Sequence, residues 1–240
     1  MTTYEDSGVN VEKGDACSRL AYEAAKATFA GREGMIGAPA ILEGGFSGAI
    51  DMGDFFLVQN DDGVGSKMMV AEALGIFDTV GRDLVAMVAD DAICVGAEVI
   101  SLTNTVDIES VDEAVIGPMM EGLREACLEQ KIVVPGGEIA ELGGQVNGVI
   151  WNATAVGIVE KDKFIDGSKI AAGDVILGLR SAGFRSNGFS LIRKILTDKF
   201  GEDWASAEFA DGQTWGEVVL EPSLIYHRGL LNLLGAYGEA

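Results

Sequence analysis

The sequence predicts an α/β protein, and three observations carry that reading. Phe55-Phe56-Leu57-Val58-Gln59 is short, aromatic and β-branched like a buried strand, and a glycine-bearing stretch joins it directly to Met68 to Leu74, rich in good helix formers. Strand-like segments at Glu98 to Val106, Ile132 to Pro135 and Val149 to Val159 then alternate with helical patterns at Arg82 to Val95 and Val111 to Gln130. The 33 glycines, against 4 prolines, are dispersed among these segments rather than massed in one tract, as many tight strand-to-helix turns require.

Taken in order, the first ten residues are polar with one glycine and read as an extended or turning arm. Asp15 or Ser18 is placed to cap a helix over Arg19 to Phe29, with Leu20, Ala24 and Ala27 inward and Lys26 solvated. Gly31 to Gly48 is loop-like, and Glu43 to Gly48 resembles a flap. In the helix Arg82 to Val95 the acids Asp83, Asp90 and Asp91 lie seven or eight residues apart, which puts them along one side. Such a row is ordinarily a solvated face, although the rest of the helix is strongly apolar. The strand at Ile132 is expected to end at Gly136-Gly137-Glu138, a carboxylate at a glycine turn, where ligands of α/β sheets commonly sit. Lys161 to Asp174 is polar, and patterning restarts at Val175-Ile-Leu-Gly-Leu179, so a boundary divides 1–165 from 166–240. Ser186 or Asn187 is expected to cap a helix from Phe189 to Phe200 and to offer its N–H groups to an anion beside Arg185. Trp215 to Tyr237 closes the chain as one helix or a pair broken near Pro222.

Composition narrows the function. Seventeen basic residues against 38 acidic ones give a net charge of −21, which repels nucleic acid and anionic membrane surfaces. The 48% hydrophobic content supports a substantial core, yet no run of about 18 apolar residues suggests a membrane span. Cys17, Cys94 and Cys127 have no metal-ligand spacing and an odd count, which suits a reducing cytoplasm, and no leader pattern opens the chain. His227 is the single histidine, so catalysis rests mainly on carboxylates, Lys, Arg, Asn and metal.

The stretch Asn60-Asp-Asp-Gly-Val-Gly-Ser-Lys67 is the candidate site. Gly63 and Gly65 let backbone N–H groups approach a ligand and Lys67 is available to neutralise phosphate, whereas Asp61 and Asp62 repel it unless a cation intervenes. A Mg²⁺-nucleotide site satisfies both features, and a solvated Asp-Gly turn satisfies them equally. The spacing is not that of a Walker A loop.

Further segments point to a family. Tyr4-Glu-Asp-Ser-Gly-Val-Asn10, Asp62-Gly-Val-Gly-Ser-Lys67, Gly81-Arg-Asp-Leu-Val-Ala-Met87 through Asp91, Gly96-Ala-Glu98, Gly136-Gly-Glu138 with Ala140-Glu141, Ile165-Asp-Gly-Ser-Lys169, Ser186-Asn-Gly188 and Leu220-Glu-Pro-Ser223 resemble, in order and spacing, phosphoribosylformylglycinamidine cyclo-ligase, or aminoimidazole ribonucleotide synthetase. The glycine motif alone also admits selenophosphate synthetase, thiamine-monophosphate kinase and a hydrogenase maturation factor.

The resemblance implies a two-domain fold of mixed sheets with flanking helices, an amino-terminal ATP-binding and dimerisation domain, and a cytoplasmic homodimer. It implies that Mg·ATP activates the formyl amide oxygen of formylglycinamidine ribonucleotide in purine biosynthesis, after which the ring closes. Residue by residue, it assigns Lys26, Asp62, Gly63, Val64, Gly65, Ser66, Lys67, Gly137 and Glu138 to ATP, and Asp62, Asp91 and Glu138 to Mg²⁺. It assigns Arg185, Ser186, Asn187 and Gly188 to substrate, and Lys67, Asp91 and Asn187 to catalysis. Asp61, Asp90, Asn104 and Arg185 stand where the family commonly has Thr, Asn, Asp and His. The chain stops short of the family's usual end, so an incomplete second domain is expected, with weak turnover despite nucleotide binding. The competing expectations are an inactive nucleotide-binding homodimer and a small-molecule kinase of the same superfamily.

Overall fold

A computed structural model describes residues 3–40, 47–181 and 183–238. Its elements are α1 (Val11–Ala27), β1 (Ala38–Pro39), β2 (Gly48–Asp51), β3 (Phe55–Gly63), α2 (Met68–Leu74), α3 (Val80–Ile93), β4 (Glu98–Ile108), α4 (Glu113–Gln130), β5 (Val133–Glu141), β6 (Val149–Glu160), α5 (Phe189–Phe200), β7 (Glu208–Ala210), β8 (Gln213–Thr214), α6 (Trp215–Leu220) and α7 (His227–Tyr237). The main sheet runs β1-β2-β3-β6-β4-β5. Only the β4–β5 edge is parallel; the other neighbours pair antiparallel, so the sheet is mixed.

Alternation along β6 decides which face is covered. Trp151, Ala153, Ala155 and Val159 are buried, while Ile150 and Asn152 on the opposite face are exposed. The covered face lies under α3, which also packs against α4 and α7 and is apolar almost all round, as a helix at the centre of a core must be. α3 and α4 cross with their backbones touching. A Cβ on Gly81 would lie 2.1 Å from the Leu123 nitrogen, and one on Gly122 2.0 Å from the Asp78 oxygen.

Several expectations change. β3 does not stop before the glycine stretch: it continues to Gly63, because Asn60, Asp61, Asp62 and Gly63 all find partners on β6. β5 likewise passes through Gly136 and Gly137 to Glu141, paired with β4, so no turn forms there. α1 starts at Val11, where the Asn10 side chain accepts from the Lys13 N–H, and Leu20 is 73% exposed rather than inward. Val175, Ile176, Leu177 and Leu179 form no strand and lie exposed, since a strand requires a ladder partner and none adjoins them among the described residues. The flap reading falls on 43–46, outside the described residues; Gly48 opens β2. The closing helix is a broken pair, α6 and α7, with Pro222 between them.

Phe189, Leu196, Trp204, Val219 and Leu220 join the hydrophobic cluster that contains α2 and α3.

Candidate functional site

Three stretches far apart in sequence meet at the end of β3. Val64 donates its N–H to the Trp151 carbonyl at 3.0 Å, Gly65 takes φ +64°, and a 3-10 turn over Gly65–Lys67 leads into α2. Ser66 Oγ lies 3.4 Å from Ser190 Oγ in the first turn of α5. At the start of that helix the Tyr4 hydroxyl of the amino-terminal arm faces Gly188, 3.4 Å from where a Cβ would stand. Gly63 admits no side chain: a Cβ would meet Asn152 Oδ1 at 2.1 Å and the Trp151 carbonyl at 2.7 Å.

Asp62 and Asp91 come together at this corner. Asp62 pairs across the sheet with buried Ala153, which sets it on the α3 face, and its Oδ1 accepts the Gly63 N–H at 2.7 Å. Asp91, in the last turn of α3, is held above the ordinary carboxylate range by burial, then by the charges of Asp62 and Asp90. Like charges gathered in this way disfavour ionisation of the Asp91 carboxyl, with Arg185 opposing. Asp61 faces the other side, where its carboxylate accepts from the Thr154 hydroxyl.

Glu138 does not join them. Strand register aligns Gly63, Asn152, Thr105 and Glu138 in one row and Asp62, Ala153, Asn104 and Gly137 in the next. Successive rows point to opposite faces, so Glu138 shares the exposed face with Asn152 and Thr105, and only Gly137 lies on the Asp62 side. Among the described residues no group of three His, Cys, Asp or Glu side chains is placed to hold a metal. Two carboxylates still suit Mg²⁺, which commonly takes one or two together with substrate phosphates. Lys26 is exposed on α1, its amine 5.9 Å from the Tyr22 ring centre.

Lys67 points inward, not toward a ligand. Its amine donates to Asp83 Oδ1 and to the Glu221 carbonyl, each at 2.8 Å, and lies 5.7 Å from the centre of the Phe189 ring. Both side chains of the pair are fully buried. Burial pulls the Lys67 amine down and pushes the Asp83 carboxyl up, each shift opposed by the partner's charge. Direct neutralisation of phosphate by Lys67 is therefore not available in this arrangement.

Arg185 is likewise engaged. It donates to Asp90 Oδ2 at 2.7 Å and to the Leu224 and Ala86 carbonyls at 3.0 and 3.3 Å, and stacks 5.4 Å from the Tyr226 ring centre. Ser186 is buried with its Oγ unpartnered, and Asn187 is exposed. Neither caps α5: Gly188 holds the N-cap position at φ +80°, with no side-chain cap bond.

Asp83 and Asp90 are not solvated, contrary to the reading of the acid row. Asp83 Oδ1 accepts from Lys67 and from the Ser223 N–H and hydroxyl, while Asp90 Oδ1 accepts the Tyr226 and His227 N–H groups, each at 2.9 Å. The signal that points to them is two acids seven apart on an otherwise apolar helix.

This fold and corner define an α/β protein whose paired acids and glycine turn adjoin a helix N-terminus. The family described as AIR synthase related protein, N-terminal domain, matches residues 45–159. Phosphoribosylformylglycinamidine cyclo-ligase of Pyrococcus furiosus is 43% identical over 98% of this chain, which spans 69% of that relative. The protein of the same name from Thermococcus kodakarensis is 41% identical over the same shares. The chain belongs to the phosphoribosylformylglycinamidine cyclo-ligase family. Thiamine monophosphate kinase from Aquifex aeolicus is a distant likeness, 18% identical with a TM-score of 0.40 over 50% of this chain and 38% of that one, too weak to bear on function.

Proposed function

We propose that the chain carries out the ATP-dependent closure of formylglycinamidine ribonucleotide to aminoimidazole ribonucleotide. Its support is the meeting of Asp62–Lys67, Ser186–Ser190 and the Tyr4 arm at one corner beside Asp91. In the proposed reaction the formyl amide oxygen attacks the γ-phosphorus of ATP and ADP leaves. The amidine nitrogen then attacks the activated carbon, phosphate departs, and a proton is lost as the ring closes.

In this reading Asp62 and Asp91 hold Mg²⁺, which when bound supplies positive charge to the phosphate oxygens. Gly65, with room beside it, admits the nucleotide to the backbone while Gly63 lets β3 pack against Asn152, and the start of α5, with Ser186, Asn187 and Gly188, receives the substrate. Lys67 acts from inside by holding the turn. A second copy of the chain covers the exposed sheet face that carries Gln59, Asp61, Thr103, Thr105 and Asn152. No helix among the described residues is long and apolar enough to cross a membrane, and all three cysteines are free, which supports a cytoplasmic setting.

The decisive measurement is ADP release that depends on formylglycinamidine ribonucleotide. Calorimetric titration with Mg·ATP adds the residue test: Asp62→Asn weakens binding about tenfold or more, the loss expected of a charged contact, and Asp61→Asn changes it little. ADP release that ignores the substrate, or equal losses in the two variants, refutes this assignment. Nucleotide binding without turnover would instead favour an inactive nucleotide-binding homodimer.

A further inference from the structure

We propose that Asp90 is a positioning residue for the substrate side of the site: it fixes Arg185, and through it the turn that opens α5, against the end of α3. The inference rests on the functional reading above for what that turn binds, and on geometry alone for what Asp90 holds.

Asp90 uses both carboxylate oxygens, each for a different segment. Oδ2 accepts from Arg185 at 2.7 Å, and Oδ1 accepts the Tyr226 and His227 N–H groups at the start of α7. An acid facing the first N–H groups of a helix satisfies donors that have no partner within that helix. Arg185 closes the arrangement by donating to the Leu224 carbonyl of the same α6–α7 connection, to the Ala86 carbonyl of α3, and by stacking on Tyr226. The Asp90 and Arg185 side chains are 14% and 30% exposed, so this pair is shielded from water and salt far more than a surface bridge.

The position of the pair gives it functional reach. Arg185 immediately precedes Ser186, Asn187 and Gly188, and Asp90 immediately precedes Asp91. One ion pair therefore sets the distance between the acids of α3 and the opening of α5. The glycine turn has anchors that involve neither Asp90 nor Arg185, Val64 on the Trp151 carbonyl and Lys67 on Asp83, besides the contacts of Lys67 with Glu221 and of Ser66 with Ser190. Loss of Asp90 should release the substrate side while leaving the nucleotide turn held, an asymmetry that general destabilisation would not produce.

The test uses Asp90→Asn, which keeps an oxygen for the Tyr226 and His227 N–H groups but gives up the charge, together with Arg185→Gln and the double variant. In each single variant the KM for formylglycinamidine ribonucleotide rises about tenfold or more, as for a lost charged hydrogen bond, while Mg·ATP affinity stays within about twofold. The double variant is no worse than the poorer single, because the two changes remove one interaction. Amide hydrogen exchange, which needs no turnover, quickens at 183–190 and stays unchanged at 60–67. Effects that multiply in the double variant, a parallel loss of Mg·ATP affinity, or unchanged exchange at 183–190 would overturn the proposal. Failure of the unaltered chain to use the substrate would sink the functional reading alone, with the exchange comparison still deciding what Asp90 holds. Should Asp90→Asn fail to fold, Arg185→Gln and Arg185→Lys carry the same comparison, and rescue by Lys would show that charge suffices without the Arg fork.

Discussion

His227 should remain neutral in the folded protein far below the pH at which a free imidazole protonates, and the fold should weaken as that limit is approached. The side chain is fully buried at the start of α7, and its Nε2 accepts the Val99 N–H at 2.9 Å. Burial, and then the charge of Arg228, lower its pKa from 6.5 to about 4, with Glu98 opposing. Because the folded pKa is depressed, the stabilisation is complete above the unfolded value near 6.5 and is lost as pH falls toward 4. At about 1.4 kcal/mol per pH unit, the gap from 6.5 to about 4 amounts to about 3 kcal/mol. With one histidine in the chain, a single imidazole resonance reports the titration directly. Urea unfolding at pH 7 and at pH 4.5, for the unaltered chain and His227→Gln, reports the linked stability. The carboxyls of Asp83, Asp90, Asp91 and Glu72 are pushed up by burial and act in the opposite sense, but they are common to both proteins and cancel in the difference. A resonance titrating near 6.5, or the same pH dependence in both proteins, would refute the reasoning.

Gly81→Ala should cost about 2 kcal/mol or more, because its Cβ would press on the α4 backbone, whereas Gly14→Ala, with open space around it on α1, should gain about 0.5–1 kcal/mol. Thermal unfolding of the two variants in opposite directions checks this. Exposed Cys17 should react promptly with an aromatic disulfide reagent, Cys94 more slowly, because burial and the charges of Asp91 and Asp90 push its thiol up, and Cys127 only on unfolding, since burial holds it at about 11. Light scattering should give a dimer mass at micromolar concentration, and a monomer would count against the covered sheet face proposed above.

What the sequence determined by itself was local. Strand-like composition marked β4 and β6, and the helix Phe189 to Phe200 is found at the residues its pattern indicates, because period and propensity reside in neighbouring residues. Family membership was also legible, carried by short motifs whose order survives without any knowledge of how they pack. Direction was not. Lys67 looks like a phosphate ligand in its octapeptide, and only Asp83 and Glu221, 16 and 154 residues away, turn its amine inward. Glu138 looks like a partner of Asp62, and strand register, a property of four paired strands, sends it to the opposite face. The acids of α3 look solvated because their partners, Ser223, Arg185 and Tyr226, come from a distant part of the chain. Conversely, Val175 to Leu179 has the apolar pattern of a strand and forms none, since a ladder requires a second backbone alongside. Tertiary structure decides such cases because a charge is buried or a strand formed only when remote groups supply the hydrogen bonds that water would otherwise provide.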